Sequence, residues 1–331
     1  MITIRPDTMR SLRLFRNQTF ILILTACGLA CPPPVRLTPP SAKASAEEVA
    51  LAGASVLIGA GDIATCPSTA DERTAAIVDS VLKADSVAGV TDAVFSAGDN
   101  AYPSGRAEDF VNCFTPSWGS PTKRIMKAIK PVPGNHEYET EGATPYFAYF
   151  GDRAGTPGKG YYSYKLGEWR IYALNSQIAV DSRFTDADRK EQEDWLRKDL
   201  KDNPTKCALA YWHHPLFSSS YHGREVLMSP LFQILYEGNA ELVISGHDHT
   251  YERFAAQNVA GVNDTLRGIA QIVVGTGGAD LRGFLAPSSN SLVRVQGYYG
   301  VIKFTLGAAG YQHAFLDTTG RIWDPGSGKC H

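Results

Sequence analysis

Leu242-Val243-Ile244-Ser245-Gly246-His247-Asp248-His249 is a short apolar, β-branched run that stops at a glycine and hands over to side chains able to bind metal. The same order recurs earlier in the chain. Val56-Leu57-Ile58 leads into Gly61-Asp62-Ile63-Ala64, and Ala93-Val94-Phe95 leads into Gly98-Asp99-Asn100-Ala101-Tyr102. Ile129 to Val132 precedes Gly134-Asn135-His136-Glu137, and Ala208 to Trp212 precedes His213-His214-Pro215. Short apolar runs bounded by turn residues read as buried strands. Five strands that deliver Asp, Asn, Tyr and His from their C-terminal ends predict one site at one edge of a sheet, where open α/β sheets bind ligands.

The residue types say what such a site holds. Imidazoles, two carboxylates, an amide and a phenol are oxygen and nitrogen donors that suit Zn, Fe or Mn, not a thiolate-bound soft metal. Their number exceeds the four ligands of one structural zinc and fits two adjacent ions. His247 and His249 lie two apart, so an extended backbone would point both to one face. A single His or Asp of this kind is more often a satisfied polar group; the coincidence of five strand ends is what argues for a site.

The order Asp-x-Ala, Gly-Asp-x-x-Tyr, Gly-Asn-His-Glu, His-x-Pro, Gly-His-x-His resembles the calcineurin-like metallophosphoesterases, and within them the purple acid phosphatases. Tyr102, three residues after Asp99, and Thr250-Tyr251-Glu252-Arg253 carry the closer likeness, which spans roughly residues 55 to 320. Ala64 stands where many members have Gly. The resemblance implies a four-layer α/β/β/α sandwich and a binuclear phosphoric ester hydrolase, an acid-phosphatase-like phosphomonoesterase using hydroxide made available by the metals. A phosphodiesterase acting on nucleotides or lipid head groups is the alternative. By the same resemblance Asp62, Tyr102 and His249 would hold a first metal, Fe(III), and Asn135, His213 and His247 a second, Zn, Mn or Fe(II). Asp99 would bridge them. His136 and His222 would meet the substrate, a small phosphorylated molecule, and either would protonate the leaving oxygen. His214 has no assigned role.

The N-terminal stretch reads differently. Arg5, Arg10, Arg13 and Arg16 precede an apolar run from Phe20 to Ala26, too short to span a bilayer, and Leu24-Thr25-Ala26-Cys27 matches a lipoprotein cleavage box. Residues 1–26 are therefore expected to be a lipoprotein signal peptide, with Cys27 lipidated and joined to a membrane. Residues 27–52, rich in Pro and Ala, are an expected tether, and residues 53–331 the metallophosphoesterase domain. The expected location is exported, anchored to the outer membrane or periplasmic. The formal net charge is −2 and no basic run stands out, which argues against nucleic acid as a partner. Export permits disulfides. Five cysteines follow Cys27's position, with Cys31 in the tether. The remaining four allow three connectivities; Cys66–Cys113 with Cys207–Cys330 is the preferred one, because the loops carrying the first pair should be neighbours at the site.

Between the motifs the pattern predicts helices over Ala70 to Ala88, Glu108 to Phe114, Thr122 to Ala128, Asp186 to Lys201 and residues 229–237. It predicts a hairpin around Gly167-Glu168, and a β-rich remainder at Gln271 to Val274, Tyr299 to Leu306, Tyr311 to Leu316 and Arg321 to Trp323. That remainder is expected to form a second sheet packed on the first. The charged face of Asp186 to Lys201 reads as solvated. The aromatic groups Tyr146 to Phe150 and Tyr161 to Tyr164 could wall a cleft, but core is the favoured reading.

Overall fold

The structure is a computed structural model and describes residues 53–331. The signal peptide and tether expected in residues 1–52 lie outside the described residues. Among the described residues, thirteen strands form two mixed sheets. The first has six strands, in the order β13 (Ile322–Lys329), β12 (Gly310–Asp317), β11 (Gly300–Gly307), β1 (Ser55–Ala60), β2 (Asp92–Ala97) and β3 (Ile129–Val132). The second has seven, in the order β10 (Ser291–Val295), β8 (Tyr251–Phe254), β9 (Ala270–Val274), β7 (Leu242–Ser245), β6 (Cys207–Trp212), β5 (Trp169–Ala173) and β4 (Tyr162–Leu166).

The strand alternation builds the layers. In β6, Cys207, Leu209 and Tyr211 share a core with Leu57 and Phe95 of the first sheet. The intervening Ala208, Ala210 and Trp212 pack with Leu196, Leu231 and Phe232 of the helices outside the second sheet. Side chains of period two on a strand buried from both sides give that division. Tyr211 packs its ring, tilted, 5.5 Å from that of Phe95 and donates to the Lys130 carbonyl at 2.8 Å, so the sheets are face to face. Helix Ala70–Ala88 buries Ala75, Val78 and Leu82 in the first sheet's core, while Asp186–Asp202 and Ser229–Glu237 cover the second sheet. This is the four-layer α/β/β/α sandwich.

Several expectations are corrected. The strands expected to carry the metal ligands do not belong to one sheet: β1, β2 and β3 lie in the first and β6 and β7 in the second. The C-terminal strands do not make the second sheet either. β11 pairs antiparallel with β1, with Leu57 opposite Phe304, so β11 to β13 extend the first sheet. Strands β8 and β10 were not expected; Tyr251 to Phe254 follows a ligand motif directly and is too short to show a period. The helix before β3 is only Ile125–Ala128, and β13 runs on through Pro325 to Lys329, an edge position where proline is tolerated. Both preferred disulfides, Cys66–Cys113 and Cys207–Cys330, are present. Tyr146, Phe147 and Phe150 are buried core residues on helix Thr144–Phe150. The charged face of Asp186–Asp202 is a run of exposed pairs such as Lys190 with Asp194 and Lys198 with Asp202.

Candidate metal centre

The C-terminal ends of the central strands of both sheets open onto one place. After β1 the backbone N–H of Asp62 donates to the Gly98 carbonyl at 3.0 Å, which binds the first loop to the second. Glycines permit the approach. A Cβ on Gly98 would lie 2.6 Å from the His213 ring nitrogen Nδ1, and one on Gly134 would lie 2.2 Å from Asp99 Oδ1. Any side chain at either position would push a candidate ligand out of place.

Two donor groups meet there. Tyr102 Oη is 3.0 Å from Asp62 Oδ1, 3.0 Å from Asp99 Oδ2 and 3.1 Å from His249 Nε2. His213 Nε2 is 3.2 Å from Asp99 Oδ2, 3.0 Å from Asn135 Oδ1 and 3.2 Å from His247 Nδ1. Asp99 Oδ2 is common to both groups. The structure thus brings together all seven side chains expected as ligands. His247 and His249 reach the site by a route unlike the extended backbone expected. The Asp248 N–H donates to the Gly246 carbonyl and the Thr250 N–H to the Asp248 carbonyl, two tight turns, with His247 at φ 69°.

The ring orientations suit coordination. His213 Nδ1 faces the Ala97 carbonyl at 2.8 Å and His249 Nδ1 faces the Asp280 carbonyl, leaving each Nε2 lone pair for the site. Charge is arranged for cations. Burial alone would raise the Asp62 and Asp99 carboxyls, but the facing imidazoles, His249 and His213 for one and His213 and His136 for the other, hold both below the usual carboxylate range. Burial would lower His213, yet Asp99 and Asp62 outweigh it and push the ring up to about 9, so the site demands positive charge at that point. Burial, with the Asp62 and Asp99 charges, pushes the Tyr102 phenol well up, and only a strong cation would make it a phenolate. These residues fit a pair of metal ions.

His136 sits at the rim, 28 % exposed, with Nε2 3.8 Å from Asp99 Oδ2; its N–H donates to Asp99 Oδ1 at 2.9 Å. The His222 ring is stacked 4.1 Å from that of His247. His214 is buried, pairs through Nδ1 with Ser176 Oγ at 2.9 Å, and packs 4.3 Å from the His247 ring. Burial and the neighbouring imidazoles hold it well below the usual histidine range, so it is neutral.

Three residues quoted in the motifs received no role from the sequence. Glu137 is fully buried and accepts N–H groups of Asp99 at 3.0 Å, Asn100 at 2.7 Å and Gly134 at 2.7 Å, tying the second and third loops together. Glu252 accepts from the Ser219 N–H at 2.8 Å and from the hydroxyls of Ser219 and Ser291, anchoring the loop that carries His222. Asp248 sits between the last two ligands. Their signal was present, a carboxylate inside or just after a ligand motif, but burial and partners are not legible in one sequence.

The likeness to known proteins agrees with this geometry. Purple acid phosphatase 15 of Arabidopsis thaliana is 26% identical over 220 residues, 56% of this chain and 40% of that protein. Purple acid phosphatase 21 of the same plant is 30% identical over 100 residues, 28% of this chain and 22% of its own. The chain therefore spans less than half the length of these relatives. Among solved structures, a purple acid phosphatase from yellow lupin (Lupinus luteus) seeds superposes with a TM-score of 0.65 at 18% identity, covering 83% of this chain and 53% of that one. The anchor in the inner membrane complex of Plasmodium superposes with a TM-score of 0.69 at 14% identity, covering 84% and 89%. The profile of the calcineurin-like phosphoesterases matches residues 59–251. That span is more than half of the chain and runs from the end of β1 to the start of β8, taking in all five strand ends, and so the chain belongs to the calcineurin-like phosphoesterase family.

Proposed function

We propose that this chain is a binuclear-metal hydrolase of phosphoric monoesters, of the acid phosphatase type. The observation that carries the reading is Asp99 Oδ2, 3.0 Å from Tyr102 Oη in one donor group and 3.2 Å from His213 Nε2 in the other. The fold alone would not carry it, since an anchor protein shares that fold. Asp62, Tyr102 and His249 would hold Fe(III), and Asn135, His213 and His247 a Zn, Mn or Fe(II) ion, with Asp99 shared. Bound there, the pair supplies Lewis acidity to phosphoryl oxygens and lowers the pKa of water.

The protein's own residues do the rest. His136 is held by the Pro103 carbonyl at Nδ1, so Nε2 turns inward, where the ring, when it carries both protons, donates to a phosphoryl oxygen as charge builds. His222, partly exposed and stacked beside His247, gives a proton to the leaving oxygen. The two disulfides fit an oxidising compartment and thus export. We extend this to a lipid anchor on Cys27, outside the described residues. Cys27→Ser should move the protein from the membrane fraction to the soluble one, and unchanged partition would remove the anchor.

The test is the protein purified without added metal. We expect about two metal ions per chain, faster hydrolysis of 4-nitrophenyl phosphate than of bis(4-nitrophenyl) phosphate, and a visible phenolate band that Tyr102→Phe bleaches without unfolding the protein. A colourless, fully active, iron-free preparation removes iron from the site. Preference for the diester removes the monoesterase reading, and absence of metal-dependent turnover on both removes the hydrolase.

A further inference from the structure

Asp248 is fully buried between two candidate ligands, and its carboxylate is engaged by the loop of Ser218 and His222. Its Oδ1 accepts both the His222 backbone N–H at 3.1 Å and the ring at Nδ1, 3.0 Å away. Its Oδ2 accepts the Ser218 hydroxyl, and Ser218 Oγ in turn accepts the Ser220 N–H at 3.0 Å. One carboxylate therefore holds the backbone, the ring and the preceding loop. The His222 ring is pinned a second time by its stack on His247. With Nδ1 committed to Asp248, Nε2 is the ring nitrogen left for other partners. Among the described residues its hydrogen-bond partner is Arg282, an exposed guanidinium 3.3 Å away that also lies over the Tyr221 ring.

A buried carboxylate that accepts from one ring nitrogen fixes the tautomer and aims the other nitrogen. We infer that Asp248 is a positioning residue for His222: it holds a proton on Nδ1 whether the ring is neutral or charged, so that the second proton of the charged ring sits on Nε2, aimed at the leaving oxygen of the phosphoester. This rests on the hydrolase reading above. In the step it serves, the oxygen of the attacking water bonds to phosphorus and the bond from phosphorus to the alcohol oxygen breaks. The electron pair stays on the alcohol oxygen, which takes the Nε2 proton of the doubly protonated His222 ring. The water's proton passes to solvent, and the ring, left as the Nδ1–H form that Asp248 holds, regains a proton from solvent.

Asp248→Asn tests it on the metal-loaded full chain. The amide oxygen can still accept from His222, and the amide nitrogen can donate to Ser218 Oγ, so the shape survives while the charge is lost. Phenyl phosphate has a poor leaving group and needs the proton; 2,4-dinitrophenyl phosphate does not. We expect kcat on phenyl phosphate to fall about 10²-fold, and on 2,4-dinitrophenyl phosphate less than about threefold, with KM little changed. His222→Ala should show the same split, and the double variant should be no slower than His222→Ala. Equal losses on both substrates, or additive losses in the double variant, would overturn the assignment and leave Asp248 a loop anchor. Should Asp248→Asn lose metal or fold, Ser218→Ala removes the other arm of the carboxylate and should give a weaker split of the same kind; a flat loss there overturns it as well. Nitrogen-15 spectra of the zinc-loaded protein read the tautomer without turnover. His222 as Nδ1–H in the wild type, and mixed in Asp248→Ala, supports the inference; an Nε2–H ring in the wild type sinks it. A wild type inactive on every aryl phosphate would refute the hydrolase reading, with the tautomer still deciding the role of Asp248.

Discussion

At the level of single residues, three of the candidate ligands hold the left-handed backbone: Asp62 at φ 58°, Asp99 at φ 49° and His247 at φ 69°. Such a conformation costs a non-glycine residue about 1–3 kcal/mol and persists where the surroundings over-determine it. At Asp99 they do: Glu137 accepts its N–H, and its Oδ1 accepts the His136 N–H. The strain turns the carboxylate toward both donor groups. Asparagine is at least as comfortable as aspartate in this region, so Asp99→Asn keeps the backbone and removes only the shared charge. We expect the variant to melt within about 1 kcal/mol of wild type, to bind less metal, and to lose turnover by at least about 10³-fold, since its Oδ2 is shared by both donor groups. Metal analysis beside a melting curve checks it. Wild-type activity with full metal content would take Asp99 out of the site.

Among elements, what the sequence made legible were those with a strong local signal. Strands β1, β2, β3, β6 and β7 announced themselves as apolar runs ending in Gly or His, and the helices Ala70–Ala88 and Asp186–Asp202 by their period. Illegible were the features set by distant partners: which sheet each strand joins, the short β8 and β10, and the paired turns at His247. The start of helix Ala70–Ala88 shows the same limit. Asp71 in its first turn looks like a residue serving the helix dipole, yet it is 2 % exposed, its Oδ1 lacks a hydrogen bond, and it packs on Gly278, where an added Cβ would come within 2.6 Å of its own Cβ. Burial, with the neighbouring Glu72 charge, pushes its carboxyl up to about 7. A carboxyl raised on folding binds a proton that the unfolded chain has already lost. Its contribution to stability is full below about pH 4 and is lost as pH rises through about 7. Asp71→Asn removes that titration. Its stability should fall less than that of the wild type between pH 5 and pH 8, by on the order of 1–2 kcal/mol. Parallel pH profiles of the two proteins would contradict this.

Across the whole molecule, the two sheets are joined at both ends in different ways. Near the site, the first loop is bonded to the second sheet, the Gly61 N–H donating to the Val274 carbonyl at 3.0 Å. At the opposite end, Trp169 Nε1 donates to the Gly307 carbonyl at 2.9 Å, and Cys207 at the start of β6 is bonded to Cys330 beyond β13. His213 follows the last residue of β6, so the length of that strand, about 20 Å, separates it from Cys207 at the other end. Cys66–Cys113 lies instead just after the first motif, four residues beyond Asp62. The two bridges should therefore do different work. The Cys207–Cys330 bridge closes a sequence separation of 123 and the Cys66–Cys113 bridge one of 47, which on chain entropy favours the longer loop by about 1 kcal/mol. Replacing Cys207 and Cys330 by Ala should lower stability by about 2–4 kcal/mol while metal content and kcat at 25 °C stay unchanged. Replacing Cys66 and Cys113 should lower stability less but disturb the loop beside Asp62, reducing metal affinity. Melting curves and metal titrations on the two double variants distinguish the roles. Loss of metal from the folded Cys207/Cys330 variant, with none from the other, would show that the far bridge, not the near one, holds the centre in shape.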